Sequence, residues 1–250
     1  MIDTHIHILP NVDDGPKMMS ESVEMAKMAM DEGITEMIVT PHYKRPGYIN
    51  EKVPEAYEAL KNELAKQKLN LKLYMGNEIY LSEDNVMDLL EKKAYTLNDG
   101  PYVLVELPFR HYFPFHDALL HQLQLKGYKV ILAHAERYEV LINQPNKIKE
   151  LVERNIYIQL TSNALLKRKT RKIGLKWIRA GWVHLISTDA HGVTRRKPSI
   201  KKAYNVVLEK TGKEDADLLF VHNPKAVLNG YDLEAPNSKA IKVKRFWQWG

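Results

Sequence analysis

Short apolar, β-branched runs alternate with longer amphipathic stretches along most of the chain. The runs predict strands over 2–7, 35–40, 71–76, 102–106, 129–133, 156–160 and 184–187. The amphipathic stretches predict helices over 20–31, 54–68, 83–92, 115–126, 146–154, 170–180 and 199–210, with apolar residues recurring at helical spacing. Ser20 is the expected N-cap of the first helix, and Gly33, Gly127 and Gly181 stand where left-handed C′ residues end a helix. Strand–helix alternation repeated in this way implies a parallel sheet with helical crossovers, either doubly wound or closed into a barrel. No GxGxxG or GxxxxGK[ST] loop is present, which counts against a nucleotide fold.

Composition narrows the class. A chain of 250 residues suits one barrel-sized domain, expected over 1–233, followed by a basic and aromatic tail over 234–250. The chain has no cysteine, so disulfides, zinc–thiolate sites and a thiolate nucleophile are excluded. No apolar run reaches membrane-spanning length and no basic-then-apolar leader opens the chain, so the expectation is a cytoplasmic protein. The net charge of +6 reads either as ordinary surface lysine or as attraction to acidic and phosphorylated partners.

The first strand poses a question of its own. In "MIDTHIHILPNVDDG", Ile2, Ile6 and Ile8 fall on one face, while Asp3, His5 and His7 fall on the other. The same kind of residue ends the other runs. His42 follows the second, Glu78 the third, Glu106 the fourth, His134 the fifth, and Asp189 and His191 the last. Asp13 and Asp14 lie in the loop after the first. In parallel α/β folds the loops at the carboxyl ends of the strands build the site. Residues spread over most of the chain would therefore meet at one mouth. A single histidine or glutamate at such a place is ordinarily a hydrogen-bonded or surface residue. Five histidines and four carboxylates together are not ordinary, because crowded carboxylates repel unless a cation sits among them. The donors are nitrogen and oxygen only, which suits manganese, iron or zinc. Nine ligands exceed what one ion takes, so two or three ions are expected.

"MIDTHIHILPNVDDGP", "VTPHY", "GNEIYL", "ELPF", "LAHAERY" and "STDAH" together resemble the polymerase and histidinol phosphatase (PHP) superfamily. More narrowly, they resemble its bacterial protein-tyrosine phosphatases, which oppose tyrosine kinases in capsule and exopolysaccharide synthesis. The resemblance runs from Met1 to about Gly230. It implies a distorted (β/α)7 TIM-like barrel with three divalent metals, usually Mn2+, at the carboxyl ends of the strands. On the matching positions, His5, His7, Glu78 and Asp189 would hold one metal. Glu78 would bridge to a second, completed by Glu106 and His134, and Asp14, His42 and His191 would hold the third. Arg137 and Arg196 match positions that bind phosphate, and Arg195 is adjacent to the second of these. Ala135 stands where relatives carry proline. The implied chemistry is in-line attack of an activated water on phosphorus, with phenolate as a leaving group that needs little protonation.

Other residues keep two readings. Asp13 is a candidate proton donor or a support for its neighbours. His111 and Tyr112 follow the fourth strand and would rim the mouth against a tyrosyl ring. His116, His121 and His184 read as packing or solvated residues. "LKRKTRK" (166–172) is a solvated face or a dock for an acidic or tyrosine-rich peptide. The tail "KAIKVKRFWQWG" has the make-up of a weak membrane-surface contact, or of contact with a membrane-bound kinase. The expected partner is a phosphotyrosyl protein, a bacterial tyrosine kinase, which would bring the enzyme to the inner face of the membrane. Oligomeric state is not legible. Two other activities stay open: a small-molecule phosphatase of histidinol-phosphatase type, and a nucleic-acid-binding or proofreading module. The basic residues are dispersed and carry no nucleic-acid motif, so nucleic acid is not expected.

Overall fold

A computed structural model describes residues 1–236. The tail expectation therefore lies almost wholly outside the described residues. The described residues form nine strands, most of them separated by helices. They are β1 (Ile2–Ile6), β2 (Glu36–Val39), β3 (His42–Tyr43), β4 (Lys72–Met75), β5 (Glu78–Tyr80), β6 (Tyr102–Glu106), β7 (Lys129–Leu132), β8 (Tyr157–Thr161) and β9 (Leu185–Ser187). All pairings between them are parallel. One sheet has the order β1-β2-β4 and the other β3-β5-β6-β7-β8-β9, a curled half-barrel. At the far edge the backbone joins the two. His7 N–H donates to Ala190 O at 2.9 Å and Asp189 N–H to His5 O at 2.8 Å, which ties the end of β1 to the segment after β9.

The second and third predicted strands are each divided. β2 stops at Val39, and after Thr40 and Pro41 the chain resumes as β3 in the other sheet. β4 stops at Met75 and resumes as β5. Pro41 has no N–H to continue a ladder. Asn77, fully buried, bridges the break: its Nδ2 donates to Pro41 O (2.9 Å) and its Oδ1 accepts from Tyr95 N–H (2.8 Å). The break has a functional consequence, because it brings His42 directly opposite Glu78 in the β3–β5 register.

The helices are α1 (Met19–Asp31), α2 (Val53–Lys66), α3 (Glu83–Leu90), α4 (Pro114–Leu125), α5 (Glu139–Asn143), α6 (Pro145–Glu153), α7 (Ser162–Leu166), α8 (Arg168–Arg179), α9 (Lys201–Thr211), α10 (Lys213–Asp217) and α11 (Asn223–Asn229). Met18, not Ser20, precedes α1, and Ser20 lies inside its first turn. Gly33, Gly127 and Gly181 all have left-handed φ. The short α5 and α7 and the last two helices had no clear periodicity in the sequence. β6 and β7 carry continuous apolar runs because helices on one side and the neighbouring strands' side chains on the other leave little of them in contact with water. Among the described residues, no helix is long and apolar enough to cross a membrane.

Candidate metal centre

β1 delivers His5 and His7, and both are completely buried. The loop after it turns back sharply at Gly15. A Cβ there would lie 2.7 Å from His7 O, so only glycine lets the Asp13–Asp14 segment close onto the strand. Register delivers the next carboxylates. Glu78 stands opposite His42 on one side and beside β6 on the other, and Tyr80 pairs with Glu106. His134 follows β7, and Asp189 and His191 follow β9. His134, Asp189 and Arg196 all hold left-handed φ (32°, 52° and 51°), a conformation that costs a non-glycine residue on the order of 1 kcal/mol or more and recurs at functional sites.

Glu78 is the hub. Its Oε2 lies 3.0 Å from His42 Nδ1, 3.2 Å from His7 Nε2 and 3.3 Å from His5 Nε2. Its Oε1 lies 2.6 Å from His134 Nε2. His134 Nε2 is also 3.5 Å from Glu106 Oε1. Asp189 Oδ1 lies 3.4 Å from His5 and 3.6 Å from His7. Asp14 Oδ1 sits between His191 (3.1 Å) and His42 (3.3 Å). Three sets bring donor atoms within 4.8 Å of one another: His5, His7, Glu78 and Asp189; His7, Asp14, His42 and His191; and His42, Glu78 and Glu106. Eight of the nine residues expected as ligands fall in these sets; His134 falls in none of them and joins the cluster through Glu78 and Glu106. His7 joins the set around Asp14, and His42 joins the set with Glu106.

The donors fit cations. Glu78 Oε2 and Asp189 Oδ1 are buried and make no well-directed hydrogen bond, although imidazole nitrogens surround them. The protonation balance points the same way. Burial would raise Glu78, but His5 and His134 hold it well below the usual carboxylate range. Burial, then repulsion from Glu78, pushes Glu106 upward. Burial and its neighbour His42 pull His7 down, yet Asp13 and Glu78 outweigh them and raise it to about 9. Burial likewise opposes the charge on His42, and Asp14 and Glu78 raise it to about 11. In His191, burial and the His7 charge prevail and lower it to about 4. Imidazoles forced toward both extremes around clustered carboxylates are what cations relieve, by taking the nitrogens as neutral ligands and the carboxylates as anions.

Support comes from behind. Asp13 Oδ2 accepts from His7 Nδ1 (2.7 Å) and from His42 N–H (3.1 Å), and its Oδ1 accepts from Gly15 N–H (2.9 Å). Burial would raise its pKa, but His7 lowers it to about 2. Of the two roles expected for Asp13, proton donor or support for its neighbours, these contacts match the support of His7. Gln159 was not singled out in the sequence, and Asp3 was placed on the polar face of the first strand without a role. Gln159 Oε1 lies 3.2 Å from His5 Nδ1 and accepts from His134 N–H (2.8 Å). It was visible as the one amide inside the apolar run of β8. Asp3 accepts from Thr188 N–H (3.0 Å) and anchors the turn before Asp189.

The cluster opens into a cleft of about 450 Å³. Arg137 and Arg196 stand at its edge, both bonded to Asp189 Oδ2, with Arg196 at 2.6 Å. Asp189 therefore turns one oxygen to the arginines and the other to the cluster. Arg195 is exposed and does not line the cleft, so of the two adjacent arginines it is Arg196 that reaches it. The rim residues differ from expectation. His111 is exposed and stacks on Phe113 (5.9 Å), and Tyr112 donates to Asp117 Oδ1 (2.9 Å). Neither lines the cleft. The aromatic walls come instead from Tyr48, Tyr80 and Phe109, with Lys44 lying 4.1 Å over the Tyr80 ring. His116, by contrast, is a cap: its Nδ1 accepts from Phe113 N–H (2.9 Å) at the start of α4. His184 is buried and accepts from Ile158 N–H (3.1 Å).

Comparison with known proteins adds an independent line. Residues 1–229 match the family model for capsular polysaccharide synthesis, CpsB/CapC. The chain is 34% identical to a protein of Staphylococcus aureus named putative tyrosine-protein phosphatase CapC, over 91% of each chain. It is 32% identical to the tyrosine-protein phosphatase YwqE of Bacillus subtilis, over 99% of each. Among solved structures it superposes with a TM-score of 0.89, at 33% identity, on one described with YwqE of B. subtilis and CpsB of Streptococcus pneumoniae as unique metal-dependent tyrosine phosphatases. That match covers 94% of this chain and 97% of the other.

Proposed function

The chain belongs to the CpsB/CapC family of capsular polysaccharide synthesis, and from that premise we propose that it is a metal-dependent protein-tyrosine phosphatase. It works without cysteine, since the chain has none. The observation that carries the reading is one cleft in which nitrogen and oxygen donors, two arginines and aromatic walls meet. We read the two sheets as the staves of a distorted seven-unit barrel whose mouth is this cleft.

Three divalent ions, manganese first among the candidates, are the count the donor sets suggest. His5, His7, Glu78 and Asp189 would hold one, Glu78, Glu106 and His134 a second, and Asp14, His42 and His191 a third. Such ions supply a water of lowered pKa and offset the charge of the phosphate. The protein's own groups do the rest. Arg137 and Arg196 present planar donors to phosphate oxygens, and Asp189 fixes both guanidiniums in advance. Tyr48, Tyr80 and Phe109 offer faces to an aryl ring. Asp13 and Gln159 fix the tautomers of His7 and His5 through Nδ1, leaving Nε2 to face the cluster. An aromatic-walled mouth favours a phosphotyrosyl side chain over histidinol phosphate, which is smaller and carries a cation. The substrate we assign is phosphotyrosine on a bacterial tyrosine kinase of capsule or exopolysaccharide synthesis and on that kinase's targets. The kinase is also the route by which the enzyme would reach the inner face of the membrane.

Metal analysis combined with turnover tests the reading. His7→Ala and Asp189→Ala should each lose bound metal and hydrolysis of an aryl phosphate together. Full turnover in a protein shown to be metal-free would sink it.

A further inference from the structure

One strip of the surface has no part in the chemistry above. Between Asn163 and Ala180 the chain carries seven cations and no acid, and between Gly192 and Lys202 five cations and no acid. These stretches leave the same ends of the adjacent strands β8 and β9, the ends that deliver the site residues. Lys167, Arg168, Lys169, Lys172, Arg195, Lys197, Lys201 and Lys202 are exposed, and none forms an ion pair among the described residues. The strip runs into the cleft through Arg196, which reaches Asp189 and Asp14.

Fold stability does not account for this placement. α8 has no acidic residue in its first turn, and cations fill those positions instead; at α9 the Glu32 carboxylate accepts from Ile200 N–H and Lys201 N–H, so the dipole cost falls on α8. The positive end of a helix dipole disfavours cations by about 0.3–1 kcal/mol each. The eight exposed cations that form no ion pair among the described residues also repel one another. An anionic partner along the strip removes both costs.

We propose that this flank is a docking surface for an acidic polypeptide segment flanking the phosphotyrosine. The proposal rests on the phosphatase reading and adds the recognition of sequence around the target residue. The chemistry of the strip favours a polypeptide over other polyanions. Trp177, the one aromatic residue of α8, is buried, so no exposed ring on that helix can stack on a nucleobase. The apolar residues Leu175, Trp177 and Ile178 are likewise buried, so α8 presents no greasy face to a bilayer. What remains is a purely cationic rim next to an arginine-lined cleft, which suits steering and holding of acidic side chains.

The test uses the full chain with its metal restored and three substrates: p-nitrophenyl phosphate, a phosphotyrosyl peptide flanked by Asp and Glu, and the same peptide flanked by Ser and Gly. A variant combining Lys167→Glu, Arg168→Glu, Lys169→Glu and Lys172→Glu suits the helix dipole, so it should fold. At low salt the native chain should favour the acidic peptide by about tenfold or more in kcat/KM, and the preference should fade with added salt as charges are screened. The variant should lose that preference through KM while keeping native kinetics on p-nitrophenyl phosphate. Turnover without preference in the native chain, or preference surviving in the variant, overturns the proposal alone. So does binding of phosphatidylserine vesicles that the variant loses while its peptide preference stays. No turnover on any of the three overturns the phosphatase reading and this proposal with it.

Discussion

Under the proposed function, single side chains in the cleft divide into those that would touch phosphate and those that hold them. Arg196 and Arg195 are neighbours in sequence, but only Arg196 bonds Asp189 and lines the cleft. Arg196→Ala should lower kcat/KM on an aryl phosphate about 100-fold, the usual cost of losing one donor to a developing charge, with metal content intact. Arg195→Ala should change the same rate by no more than about threefold, as an exposed rim charge does. Steady-state kinetics on p-nitrophenyl phosphate separates the two, and equal losses would dissolve the distinction. Asp13 acts through His7, so Asp13→Ala should weaken metal binding about 10–100-fold, as loss of a histidine's supporting carboxylate does. A metal titration reads this directly, and a variant with native affinity but no turnover would return Asp13 to a proton-transfer role. Phe109→Ala should raise KM for a phosphotyrosyl peptide about tenfold, since an aromatic contact of roughly 1.4 kcal/mol is a factor of ten. The metal-ligand candidates were legible because histidine and carboxylate are conspicuous after apolar runs. Tyr80, Phe109 and Lys44 were not, because an aromatic or a lysine after a strand looks like ordinary core or surface until the walls of a cleft are known.

At the scale of elements, the strands were legible as β-branched runs, and most boundaries fell within a few residues of expectation. The breaks after β2 and β4 were not. They depend on Asn77 bridging two distant backbone segments, which no local pattern reports. That break decides the site, because it sets His42 opposite Glu78. The short α5 and α7 escaped for a different reason, since five residues are too few to show a period. The pairing of β8 with β9 carries its own pH dependence. His184 immediately precedes β9 and its N–H donates to Ile158 O of β8, and burial lowers its pKa to about 4. The unfolded chain therefore binds a proton near pH 6.5 that the folded chain refuses until about pH 4. Stability from this group is whole above pH 6.5 and is lost as pH falls toward 4, by on the order of 3 kcal/mol at most. Denaturant unfolding of His184→Gln should show a flatter decline over that window than the native chain. A slope no different from native would show that His184 carries no such linkage.

The whole molecule is a scaffold that gathers carboxylates and imidazoles from six strand ends into one mouth, at some cost to itself. Left-handed backbone at His134, Asp189 and Arg196 and the crowding of Glu78, Glu106, Asp14 and Asp189 all oppose folding. Bound cations should offset that cost. A metal held at a hundred times its dissociation constant stabilises by about 2.7 kcal/mol, which for a domain of this size is roughly 5–10 °C in Tm. Thermal unfolding before and after chelation should show a fall of that order, reversed by manganese. The central claim, a metal-dependent phosphatase for tyrosyl phosphate, meets its most direct test in one measurement. The protein is stripped by chelator and divided, manganese is restored to half, and both halves are assayed on a phosphotyrosyl peptide, the matching phosphoseryl peptide and histidinol phosphate. The account predicts no turnover in the stripped half and, in the restored half, phosphotyrosine hydrolysed at least tenfold faster than either alternative, about the 1.4 kcal/mol that one aromatic contact supplies. Turnover that survives complete metal removal, or a preference for histidinol phosphate, would contradict it.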